Sequence, residues 1–111
     1  MSEARPDHRT LAAVLERRVL QGPGDISAEQ RSAVAARAAG EPSAAGPYDD
    51  LARQIGIAAY RVTDAQVASA VNAAGSERAA FEIIAAASLG AGLLRWRAGL
   101  RALEEASDAT S

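Results

Sequence analysis

The last third of the chain constrains the fold most. Residues 77 to about 105 read as one uninterrupted helix of about 28 residues, roughly 42 Å long at the usual rise, in a chain of only 111. Over 79–94 it is apolar nearly all round, the pattern of a buried helix. Beyond Leu94 it turns amphipathic. Leu93, Trp96, Leu100 and Leu103 recur at helical spacing, and Arg95, Arg97, Arg101, Glu104 and Glu105 cover the other side. Four short helices can hardly wrap so long a rod. The stripe Leu93, Trp96, Leu100 and Leu103 is therefore expected as an oligomer interface, and the chain as a homo-oligomer, with a protein partner as the other way to cover it. Ser88, Gly90 and Gly92 add a thin strip where another backbone can approach closely.

The rest of the chain also reads as helices. A first helix is expected over 10–20, capped by Thr10, with Leu11, Val14, Leu15 and Val19 as its apolar stripe. "QGPGD" breaks the chain. Ser27 and Gln30 form a capping-box pattern opening a helix over 28–39. A Gly/Pro/Ser-rich loop occupies 40–47, and a third helix begins near Pro47 or Tyr48, with Asp49 and Asp50 at its positive end. Thr63 and Gln66 suggest a second capping box for 64–74, Gly75 a stop, and Ser76 the cap of the long helix. No stretch alternates as a strand would. The expectation is an all-α bundle of about five helices with a long buried C-terminal helix. It is a single domain over 1–111, with disordered tails at 1–9 and 106–111.

Composition limits the chemistry. The chain has no cysteine, so disulfides, thiolate metal sites and thiol catalysis are excluded. His8 is the single histidine, placed in a polar N-terminal segment and read as solvated, so no metal site or cofactor is expected. The net charge of −2 argues against general nucleic-acid binding. "RWR" at 95–97 points its side chains in different directions, and "QVASAVNAAGSERAAFEII", threaded as a helix-turn-helix, offers a poor recognition helix. The polar N-terminus has no secretory h-region, and the apolar run at 79–94 is interrupted by Glu82 and falls short of a spanning helix. A cytoplasmic protein without membrane attachment is the expectation.

The order of these elements, with "AAGSERAAFEIIAAASLGAG" entering the long helix, resembles the AhpD and carboxymuconolactone decarboxylase superfamily. The resemblance covers about residues 48–103 and implies an all-α fold. Members carry a C-x-x-C-x-x-x-H motif eight residues before the glycine. Counting back from Gly75 places Val67 at the histidine, Thr63 at the second cysteine and Tyr60 at the first. None of the three can attack a peroxide or shuttle its proton, so the resemblance implies the scaffold without thiol peroxidase chemistry.

Among other residues, Asp49, Asp50 and Glu77 read as charges in first helical turns. Glu82 lies in an apolar stretch and is expected to pair with Arg53, Arg61 or Arg78. In an alternative reading, a non-thiol enzyme or small-ligand binder of carboxymuconolactone decarboxylase type, Arg61 or Arg53 would hold an anionic substrate and Glu82 or Tyr60 would move a proton.

Overall fold

The computed structural model describes residues 7–42 and 45–110. Among the described residues five α-helices follow one another: α1 (His8–Gln21), α2 (Ala28–Ala38), α3 (Asp49–Ala58), α4 (Asp64–Ala74) and α5 (Glu77–Thr110). Short 3₁₀ turns at Gly46–Tyr48 and Ala59–Arg61 bracket α3, and no strand occurs among the described residues. The fold class is as expected.

Local signals set the helix ends. At α4 the capping box is complete: the Thr63 hydroxyl accepts from Gln66 N at 3.1 Å, and Gln66 Oε1 accepts from Thr63 N at 2.9 Å. Gly75 then takes φ 92°, a left-handed conformation that a Cβ would disfavour, and stops the helix. Ser76 Oγ accepts from Ala79 N at 3.0 Å and opens α5. At α2 only half of the expected box forms. Ser27 Oγ caps Gln30 N at 3.1 Å, but the Gln30 amide donates to Ala45 O at 3.0 Å and ties down the loop before α3. The cap of α1 is Asp7 rather than Thr10: its carboxylate accepts from Thr10 N at 2.7 Å, so the helix starts two residues early.

Central to the bundle is α2, which packs on α5, α3 and α1. Two glycines allow its close crossings. A Cβ on Gly90 would stand 2.2 Å from Ala35 O, and one on Gly56 would stand 2.1 Å from Ala38 O. Among the described residues, ten of the sixteen buried apolar residues are alanine, so helix axes approach closely and few large side chains fill the core. Ile83 and Val34 are the largest that are fully buried, with Tyr48, Leu51 and Ile55 around them.

Three sequence expectations differ from the structure. The tail expected at 106–111 is helical through Thr110, so α5 has 34 residues and spans about 51 Å, close to the molecule's longest extent of 53 Å. The N-terminal tail, expected over 1–9, ends earlier, since His8 and Arg9 belong to α1; residues 1–6, 43, 44 and 111 lie outside the described residues. The long helix is also not buried all round. Ala79, Ile83, Ala86, Gly90 and Leu93 face the core, whereas Phe81 is 69% exposed. By length and hydropathy α5 is apolar enough to cross a membrane, and 39% of its most apolar window is buried inside the fold. A core helix passes the same test.

Candidate functional site

Glu82 holds a loop rather than an arginine. Its Oε1 and Oε2 each accept from Asp25 N at 2.9 Å, and Oε2 also accepts from Ile26 N at 3.2 Å. The carboxylate thus occupies the concave side of the α1–α2 connection, where consecutive backbone N–H groups converge on an anion. Gly24 makes room for it: a Cβ there would lie 1.9 Å from Oε1. Arg78, one of the expected partners, instead faces Asp25 at 4.0 Å on the surface. Glu82 is half-buried and does structural work that its sequence context did not reveal.

Tyr60 and Arg61 lie elsewhere. Both sit in the 3₁₀ turn after α3; Tyr60 is 84% exposed, and the Arg61 guanidinium stands 5.7 Å from its ring centroid. Neither residue, nor Glu82, lines the three clefts along α5 or the two that flank α3. None of these clefts gathers the three catalytic candidates. Arg53 lines a shallow cleft with Gly56 and Ile57. Asp49 is fixed by the Arg37 side chain at 2.9 Å. No group of three or more His, Asp or Glu side chains among the described residues could hold a metal ion.

A residue with no sequence signal fastens the N-terminal half. Arg31 is 5% exposed, and its guanidinium donates to Ile26 O at 3.0 Å, to Val19 O at 2.7 Å and to Gly22 O. These acceptors include carbonyls left open at the end of α1, where the helix dipole also favours a cation. An arginine in the second turn of a helix ordinarily reads as a solvated residue.

The stripe expected at an oligomer interface divides. Leu93 is buried, and it lines a cleft of about 490 Å³ between α1, α2 and α5. Leu100 is half-buried toward Arg9 and α1. The Trp96 ring lies 5.8 Å from that of His8, which is therefore held at the start of α1 rather than loose in a tail. Leu103 stays 69% exposed. Helix α1 thus covers part of the stripe within the chain, fastened by the ion pairs Arg97–Glu16 at 3.0 Å and Arg9–Glu104. Adjoining clefts of about 510 and 300 Å³ extend the groove along α5, and Arg97 lines all three.

In turning toward α5, α1 leaves its own apolar stripe outside. Leu11, Val14 and Leu15 are 53%, 36% and 51% exposed, and no residue of α1 is buried. Its half-buried side is Ala12, Glu16, Val19 and Leu20. The strip of small residues on α5 divides as well: Gly90 meets α2, whereas Ser88 and Gly92 are open to solvent. Comparison of the chain with family models, with curated proteins and with solved structures finds no match.

Proposed function

We propose that this protein is a cysteine-free, AhpD-like helical scaffold that acts by assembly, with copies of itself or with a protein partner, and not by thiol peroxidase chemistry. The observation that carries this reading is apolar surface left open on two helices. Leu11, Val14 and Leu15 form one such patch on α1; Phe81, Trp96 and Leu103 lie along α5. Large side chains are scarce in the core, yet these are spent on the surface, which marks interaction faces. The engagement of Glu82 with the α1–α2 connection, away from the turn that carries Tyr60 and Arg61, adds support, because a catalytic site needs its groups within reach of one reacting atom. The absence of cysteine removes the thiolate and its resolving partner.

Native mass spectrometry tests the reading. A defined oligomer without added mass is the expected spectrum, and a monomer at every concentration, with no partner captured, contradicts it. The groove beside Arg97 favours a second reading, a small-ligand binder, for which the same spectrum would show a molecule released on denaturation.

A further inference from the structure

The outward side of α5 is a continuous face. At about 100° per residue, Phe81, Ala85, Ser88, Gly92, Gly99 and Leu103 fall within about 40° of one line, opposite the buried line through Ile83, Ala86 and Gly90. Phe81 and Leu103 are each 69% exposed, and a Cβ added to Gly92 or Gly99 would meet nothing within 4 Å. Among the described residues, none packs over Phe81, Gly92, Gly99 or Leu103 closely enough to bury them.

We propose that a second copy of the chain occupies it, with the two α5 helices antiparallel about a two-fold axis that passes between Ala85 and Ser88, at the level of Ala86 along the helix. The proposal rests on the assembly reading above and names its contact. Charge complementarity fits this occupant in this direction. Glu77 and Arg95 are 18 residues apart, five helical turns or about 27 Å, and so share one edge of the face. A two-fold axis between antiparallel helices brings like edges together. With the axis midway between them, Glu77 of each copy stands opposite Arg95 of the other. Arg95 is already held on this side by donating to Gly56 O at 2.7 Å, and its remaining donors stay available.

Side-chain size agrees with the same register. Phe81 comes level with the gap between Ser88 and Gly92 of the second copy, where small residues leave room for a ring. Ala85 and Ser88 meet across the axis. On the other edge Arg78 arrives within one turn of Trp96, in reach of a cation–π contact. One helix pair is small beside the ~800 Å² per partner of a standard interface, so the dimer is expected to be a dissociable one.

Because the chain lacks cysteine, single-cysteine trapping reads this contact cleanly. Ser88→Cys, near the axis, should give a covalent dimer under mild oxidation at least tenfold faster than Gly99→Cys, which has no counterpart in this register. Glu77→Arg or Arg95→Glu alone should weaken the dimer about tenfold, and the double swap should restore it. Equal trapping rates, or a double swap no better than the singles, overturn the pairing. If instead the protein is oligomeric and Leu15→Arg dissociates it while Phe81→Arg does not, this pairing fails and the assembly reading stands. A monomer at all concentrations overturns both. Phe81, Ser88 and Leu15 are exposed, so these variants should keep the wild-type circular dichroism.

Discussion

Glu82→Ala is the substitution that best separates a structural carboxylate from a catalytic one. In the folded chain Glu82 satisfies two backbone donors, Asp25 N and Ile26 N, at 2.9 and 3.2 Å. The Asp25 group is exposed, so water replaces its bond and the net loss is about 1 kcal/mol. The Ile26 group is partly buried, and leaving it unpaired costs about 1–2 kcal/mol more. A total of about 2–3 kcal/mol corresponds to a fall in Tm of about 10–20 °C for a domain of this size. Thermal and urea denaturation followed by circular dichroism measure it, and amide exchange at Asp25 and Ile26 should speed up in step. Gly24 supplies a check on cause. Gly24→Ala should displace the carboxylate and destabilise the wild type, yet cost little more in the Glu82→Ala background, because the two changes break the same contact. A Glu82→Ala protein as stable as wild type, or additive costs for the two substitutions, would refute the loop-holding role.

Three further outcomes are expected. Gly90→Ala drives a methyl group to 2.2 Å from the Ala35 carbonyl, where only backbone movement relieves it; urea titration should show a loss of about 1–3 kcal/mol, and Gly92→Ala, in open space, should show none. Arg31→Lys keeps the charge but cannot reach three separate carbonyls with one ammonium, so it should destabilise by about 2 kcal/mol or more, with α1 exchanging its amide protons first. The Asp7 carboxyl is held below its ordinary value of 3.8 chiefly by the hydrogen bond from Thr10 N, with the Thr10 hydroxyl, Arg9 and His8 adding to it. A depressed acid contributes stability above its unfolded pKa and loses it as pH falls through the folded one. The cap on α1 should therefore be intact near neutrality and fail only in acid below 3.8, and an NMR titration of Asp7 should give a midpoint below that value.

What could be read in the sequence was local. Thr63 with Gln66, Gly75 and Ser76 fix their helix ends through side chains within three or four residues, so their types and spacing suffice. The lengths of helices were less legible. Once nucleated, α5 propagates cheaply through the polar residues beyond 105, which resemble a tail only when taken alone. Orientation was not legible at all. The stripe Leu11, Val14 and Leu15 marks α1 as amphipathic, but its periodicity does not say whether that side meets the core or solvent. The partners of Arg31 and Glu82 were hidden for a related reason. Both bind backbone groups, and backbone groups carry no residue-type signal. Gly22, Gly24 and Asp25 in "QGPGD" mark a break in the chain, not the convergence of donors and acceptors that the folded connection produces.

Self-assembly is the central claim, and sedimentation equilibrium across the micromolar range tests it most directly. The expected mass rises with concentration from the 11.4 kDa of one chain toward twice that value, and a Phe81→Arg variant remains at the lower mass. A wild-type mass of 11.4 kDa at the highest concentration would contradict it.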